Sequence, residues 1–294
     1  MRPRTAGLVV ALALLWGSGF FWIRLALNGF TPIELTFSRL ALGALVLVPI
    51  VFVRRLARPR GRVMWVHIAV SALLGNTVPY TLFAVAEQTV PSSVAGVVNA
   101  TTPLWTALFA FAATRAGADL TRLKVLGIAL GFTGVVVVIE PWRGVVGGSL
   151  GGLAATIGAA ASYGTAYVYQ ARFLTNRGLS PLSLTAAQLV IATGLVVPAL
   201  ALGEAHGSPT AGSTVALLIL GTGGTGLALV INFALIASEG ATSASVVTYL
   251  LPLVAVLLGI VFLGEPARWL MLAGGVLILV GVALARRRTE RVDA

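Results

Sequence analysis

Cysteine is absent from the 294 residues, and histidine occurs only twice, as His67 and His206. The first absence removes disulfides, thiolate nucleophiles, iron–sulfur clusters and cysteine zinc sites. The second leaves nothing with the convergence a histidine–carboxylate site needs, so neither a metal nor a cofactor is expected. Charge is scarce as well. Only 10% of the residues are charged and 58% are hydrophobic, where a soluble domain carries about 25% charged residues. With a mean hydropathy of +0.98 the chain cannot cover a water-facing surface, so the lipid bilayer is its expected solvent. The formal charge of +11 would fit a nucleic-acid binder. The arginines fall in short loops, however, which is the pattern of membrane orientation, and no nucleic-acid partner is expected.

What is present is a series of apolar runs. A bilayer core takes about 20 helical residues, and that ruler predicts an all-α integral membrane protein of ten transmembrane helices. The predicted spans are 6–27, 32–53, 64–86, 92–114, 123–141, 149–171, 181–203, 213–236, 242–263 and 268–286. The start "MRPRTAGLVVALALLWGSG" has the basic end and apolar run of a signal peptide. The run continues to Leu27 with no small-x-small cleavage site, so it is read as the first span. Sixteen of the 20 basic residues fall on one face: the N-terminus, the loops 54–62, 115–124 and 172–177, and the tail. Only Arg143 and Arg268 lie in the opposite loops, and Arg24 and Arg39 fall inside spans. Both termini are therefore expected to be cytoplasmic.

The pattern occurs twice. Set 149 residues apart, "AGVVNATTPLWTAL" (95–108) overlies "ASVVTYLLPLVAVL" (244–257), matching Pro103 to Pro252. The same offset lays "PIELTFSRLALGALVLVP" (32–49) over "PLSLTAAQLVIATGLVVP" (181–198) with both prolines coincident. "WGSGFFW" (16–22) faces "YGTAYVY" (163–169), and Gly127 and Gly134 face Gly274 and Gly281. Three coincident pairs of scarce prolines indicate a fixed-period repeat, predicting copies at 1–145 and 146–288 followed by a cytoplasmic tail, 289–294. Five spans are an odd number, so the second copy enters from the opposite side. Such inverted repeats are typical of secondary transporters, whose substrate site lies near the midplane between the halves. The Pro103 and Pro252 kinks then serve either gating or packing.

The segments "LLWGSGFFWIRLAL", "FSRLALGALVL", "YLLPLVAVLLGIVFLGEP" and "LAGGVLILVGVAL" resemble the ten-helix EamA-type transporters of the drug/metabolite transporter superfamily. The resemblance covers essentially the whole chain. It implies export or exchange of small metabolites, often amino acids, across the bacterial inner membrane. It also implies a central cavity walled by helices 1, 3, 4, 6, 8 and 9, with helices 5 and 10 peripheral. There is one departure. Family members often end helices 4 and 9 with Gly-Glu; Gly264–Glu265 fits, whereas the first copy has Gly117–Ala118 with Asp119 next to it.

Polar and aromatic residues at span depth are costly unless they face protein or water. Trp16, Ser18 and Phe20 in span 1 pair with Tyr163, Thr165 and Tyr167 in span 6, giving each half an aromatic wall beside a hydroxyl-and-glycine turn. Asn76 and Tyr80, Asn99, Thr102 and Trp105, Asn232, and Tyr249 with Thr248 extend the candidate cavity lining; for each the alternative is an ordinary interhelical contact. Arg39, opposite Gln188 in the repeat, could bind a carboxylate, snorkel outward, or pair with Glu34. A structural role is favoured, because the resemblance places helix 2 outside the main wall. Arg24 is expected to anchor near the outer surface.

Glu34, Glu87, Asp119, Glu140, Glu204, Glu239 and Glu265 all lie near predicted helix ends or in loops. A proton pump buries its relay at depth, so facilitated transport or exchange is expected over proton coupling. An intramembrane enzyme needs a nucleophile–base pair or metal ligands at one depth, and Ser18 and Ser162 have no such partner; the protein is not expected to be an enzyme. A channel or non-transporting membrane protein remains the alternative. The solute is expected to be small and partly apolar, such as an amino acid or drug-like cation. Oligomeric state, monomer or homodimer, is not fixed by the sequence.

Overall fold

The computed structural model describes residues 3–113, 122–140, 149–175, 177–202, 207–235 and 247–286. His206, Glu204, Glu239, Arg143, the Gly117–Asp119 departure and the 289–294 tail lie outside the described residues. Among those described, every regular element is helical. We label them α1 (3–26), α2 (Pro32–Val53), α3 (Arg62–Ala86), α4 (Ser92–Ala113), α5 (Arg122–Ile139), α6 (Leu150–Phe173), α7 (Pro181–Leu202), α8 (Ala211–Leu235), α9 (Val247–Leu263) and α10 (Trp269–Arg286). Seven segments are long and apolar enough to cross a membrane, namely Ala6–Ala26 of α1, α2, α3, α4, α5, α7 and α8; Val247–Leu263, which is α9, and Trp269–Ala285 of α10 are apolar but shorter.

Local chemistry fixes the helix ends. Thr31 accepts from the Glu34 amide while the Glu34 carboxylate accepts from the Thr31 amide, a reciprocal capping box, and Pro32 supplies the preset first φ of α2. Thr210 and Ser213 cap α8 in the same way. At the end of α9, Gly264 adopts a φ of 65°, a region open to glycine at little cost. The chain turns there so that the Glu265 amide bonds back to the Gly259 carbonyl at 3.0 Å.

Two helices depart from regular winding. α3 contains a π-helical stretch at Leu73–Thr77 and α8 another at Ile219–Leu227. A π segment inserts extra backbone into a turn and rotates the following face, and such segments concentrate at functional sites. α1 breaks at Ser18 and α4 at Ala100–Thr101, so Pro103 sits in the first turn of the second half of α4. Pro252 lies inside α9.

Packing is set by small residues. A Cβ on Gly127 would lie 2.7 Å from the Gly281 carbonyl, and one on Gly134 would lie 2.6 Å from the Gly274 carbonyl, so α5 and α10 touch backbone to backbone. Gly17 of α1 meets Val254 of α9, and Gly164 of α6 meets Trp105 of α4, each at 2.6 Å from the would-be Cβ. Leu40 and Leu47 of α2 share a buried cluster with Leu189 and Val196 of α7. Large apolar side chains such as Leu14, Leu45, Phe52 and Phe262 are exposed on the outside, the arrangement of a protein whose solvent is hydrocarbon.

Candidate functional site

The helices enclose a cavity of about 770 Å³, within the range of small-molecule sites. α1 contributes Trp16, Phe20 and Ile23; α3 contributes Asn76, Tyr80 and Phe83; α4 contributes Asn99, Thr102 and Pro103. From the other half of the chain come Tyr163 and Tyr167 of α6, Asn232 of α8 and Tyr249 of α9. The rings form one continuous run: Phe20 to Phe83 edge-to-face at 5.2 Å, Phe83 to Tyr163 tilted at 6.2 Å, and Tyr163 to Tyr80 edge-to-face at 6.4 Å between centroids. Both π segments reach the wall, through Gly75 and Asn76 on one side and Gly224 and Thr225 on the other.

Three of the residues expected to line the cavity, Ser18, Thr165 and Trp105, fall outside this lining, as does the kink candidate Pro252. Ser18 Oγ sits 3.4 Å from the Leu15 carbonyl and accepts from the Trp22 indole at 3.1 Å. Thr165 returns its hydroxyl to the Ala161 carbonyl of its own helix at 3.0 Å. Trp105 turns toward Phe109 and Phe132 rather than inward. Pro252 is buried inside α9 without reaching the wall.

Arg39 differs from its expected role. It lines the cavity, so α2 does contribute to the wall. Its Nε donates to Thr225 Oγ1 at 2.9 Å, and its guanidinium carbon lies 3.9 Å from the centroid of the Tyr80 ring. It does not pair with Glu34, which is occupied by the Thr31 cap and by the Gly207 amide. The repeat counterpart, Gln188, also lines the cavity and donates to Ser71 of α3 at 2.9 Å. Thr185, Gln170 and Phe83 are lining residues that sequence reasoning missed. Each lies on a helix that is apolar or small on nearly every face, so no periodicity marks the inward side.

Of the described carboxylates at helix ends, Glu87 and Glu140 are buried, and Glu34 and Glu265 are partly so. Glu265 accepts from the Ser92 and Ser93 amides at 2.7 and 3.0 Å, closing the N-terminus of α4, where a negative charge meets the positive end of the helix dipole. Glu87 is fully buried, with Oε2 taking the Ser92 hydroxyl at 2.6 Å. Arg24 donates to the Glu87 backbone carbonyl. Glu140 is buried with the Arg268 guanidinium 4.0 Å away. His67 is bonded to the Tyr169 hydroxyl at 2.7 Å and stacked on Phe173, and no group of potential metal ligands converges among the described residues.

The model of the EamA-like transporter family matches the chain twice, at residues 4–140 and 150–287. Similar proteins include the uncharacterized transporter YvbV of Bacillus subtilis, 27% identical over all of this chain and 95% of its own length. The uncharacterized inner membrane transporter YedA of Escherichia coli is 29% identical over 95% of this chain and 90% of its own. A probable terminal-alkyne amino-acid exporter of Streptantibioticus cattleyicolor is 28% identical over 96% and 93%. One chain of known crystal structure superposes with a TM-score of 0.67 over 97% of each chain at 22% identity, a likeness of fold alone.

Proposed function

This chain belongs to the EamA-like transporter family and is a multi-pass membrane protein, and from that premise we propose that it is a secondary transporter of the cell inner membrane. In this reading ten spans form two inverted five-helix repeats with both termini cytoplasmic. A small, partly aromatic or apolar metabolite occupies the central cavity and crosses by alternating access, normally outward. The observation that carries the reading is the cavity itself. Its lining comes from both family-matching halves, and it combines a run of aromatic rings with a few amide and hydroxyl groups, the composition of a site for a small organic solute. The amino-acid exporter among the relatives supports metabolite export as the direction and class.

The cavity lining holds no Asp or Glu among the described residues, which supports exchange or facilitated movement over proton coupling. Counterflow in proteoliposomes tests this, using a substrate selected by comparing metabolites of expressing and deleted cells. We expect saturable uptake that is accelerated by solute on the opposite side and that persists when the pH gradient is collapsed. Uptake that vanishes with the pH gradient at fixed solute gradient overturns the uncoupled mechanism. Unitary conductance steps without saturation would replace the carrier by a channel.

A further inference from the structure

The cavity is not open equally at its two ends. Its lining runs out to Pro181, the exposed first residue of α7, and to Gln170, Ala110 and Ala285 near the last turns of α6, α4 and α10. At the other end it stops at Ile23, Phe83 and Gly96, all buried. There Gly96 of α4 meets Ala255 of α9 and the Phe20 ring with no room for a Cβ. Beyond that seal lies a second, polar pocket of about 210 Å³, lined by Arg24, Asn28, Thr89 and Glu265 among others. With the basic loops on the cytoplasmic side, the open end is cytoplasmic and the sealed end is outer.

Side-chain ties cross between the halves at the sealed end, and they are not equivalent. Glu34 of α2 holds the Gly207 amide, and its repeat counterpart Ser183 of α7 donates to the Ala57 carbonyl on the opposite side. The α2–α7 corner is thus tied at both ends. The Arg268–Glu140 pair joins α5 to α10, which their glycines already lock together. Thr89 and Ser149 meet as exposed, neutral hydroxyls. Glu265 differs from all of these. It follows α9 in the second half and takes the Ser92 and Ser93 amides of α4 in the first, one on each oxygen. Charge-assisted bonds at a helix N-terminus are strong ones. Ser92 carries the tie inward, because its hydroxyl lies 3.2 Å from the carbonyl of Phe20, a cavity-wall residue. At either repeat offset, 147 or 149, the counterpart of Glu265 is an alanine, Ala118 or Ala116, with Asp119 out of that register.

We propose that Glu265 is the latch of the outer gate. Bound to the start of α4, it holds α4 and α9 together while the cavity faces the cytoplasm; its release lets them part and the cavity open outward. Because the repeat does not supply this carboxylate a second time, the inward-facing form is the resting one. The inference rests on the transport reading and adds the residue that biases its two states.

The chain has no cysteine, so Ala100→Cys, half-buried at mid-depth in the cavity wall, reports which side the cavity faces. A membrane-impermeant maleimide is expected to label it readily in inverted membrane vesicles and slowly in intact cells. In that background Glu265→Gln, whose amide nitrogen cannot accept, should speed labelling of intact cells at least about tenfold. That factor corresponds to one charge-assisted bond lost from the closed form. Glu265→Asp keeps the charge with a shorter reach and should fall between, and it carries the test if Glu265→Gln fails to fold. Glu34→Gln should leave outside labelling at the parent rate, since its corner does not open; a merely structural loss would act alike at both positions. Unchanged outside labelling in the Glu265 variants, an equal increase in Glu34→Gln, or faster labelling of the parent from outside than from inside overturns the proposal. Rapid and equal labelling of the parent from both sides is the behaviour of an open pore, and that result sinks the transport reading itself.

Discussion

At the end of α3 the Glu87 side chain has no solvent exposure, and its two oxygens are treated unequally: Oε2 has the Ser92 hydroxyl, Oε1 has no partner. The groups around it do not resolve that imbalance. Arg24 is spent on the backbone carbonyl, Glu265 adds a second negative charge across the start of α4, and Arg39 acts only at a distance. Burial pushes the Glu87 carboxyl well above the usual carboxylate range, the Ser92 bond opposes that, Glu265 adds to it, and the two arginines pull back. The sign follows from proton linkage. The folded state holds this proton more tightly than the unfolded chain. Below the ordinary carboxylate pKa both states are protonated and burial of Glu87 has no ionic cost. As pH rises from there toward the raised folded value, the unfolded chain releases its proton first and stability falls. Glu87→Gln, which keeps the shape and removes the ionisation, should therefore melt above the wild type at neutral and alkaline pH. The difference should close at pH near the ordinary carboxylate value. A variant that melts below the wild type at neutral pH would mean that Glu87 is ionised in place and held by Arg24.

Among the elements, α5 and α10 have the least room for change. Their contact is backbone against backbone at two levels, so Gly134→Ala places a methyl 2.6 Å from the Gly274 carbonyl and 2.9 Å from the Ile278 amide. Neither atom belongs to a movable side chain. Overpacking of this kind costs about 1–3 kcal/mol, to be read as a lower melting temperature in detergent. Gly194→Ala in α7 is the control: nothing lies within 4 Å of its would-be Cβ. There the helix preference of alanine should leave stability unchanged or raise it by up to ~1 kcal/mol. These glycines were legible in the sequence because a backbone contact leaves a compositional mark that a side-chain contact does not. Helix limits were legible for the same kind of reason: Pro32 and Thr31 announce the start of α2, and the predicted 32–53 coincides with Pro32–Val53. The π segments were not. One inserted residue leaves an apolar run looking the same while rotating Asn76 and Thr225 to the wall. The inward faces of α4 and α6 were equally hidden, which is why Trp105 and Thr165 were grouped with residues they do not join. Arg39 was visible as a charge at depth, but its direction depends on Thr225 and Tyr80, which lie far from it in the chain.

For the whole molecule, the crossing pattern of the glycines bears on how the halves are related. Gly127 meets Gly281 while Gly134 meets Gly274, so α5 and α10 run antiparallel. Exchanging each residue for its repeat counterpart, 147 positions away, turns one of these contacts into the other. The Gly17–Val254 and Gly164–Trp105 contacts exchange in the same sense, with Gly17 and Gly164 147 positions apart and Trp105 and Val254 149 apart. A contact that maps onto itself in this way is isologous and implies a twofold relation. Because the counterpart helices are antiparallel, that axis must cross them rather than run along them. For membrane-spanning helices it therefore lies in the plane of the bilayer, which supports the inverted arrangement typical of transporters. Inversion has a consequence that labelling can read. The loop between α2 and α3, with its four arginines, and the counterpart loop between α7 and α8 must emerge on opposite sides. The natural sequence has no cysteine, so single Arg58→Cys and Ser208→Cys variants, both at exposed positions, report without background. In intact cells a membrane-impermeant maleimide should modify Ser208→Cys and leave Arg58→Cys untouched until the membrane is opened, as the basic loop stays on the cytoplasmic side. Modification of both from outside would place the two loops on one face, and the halves could not then be inverted.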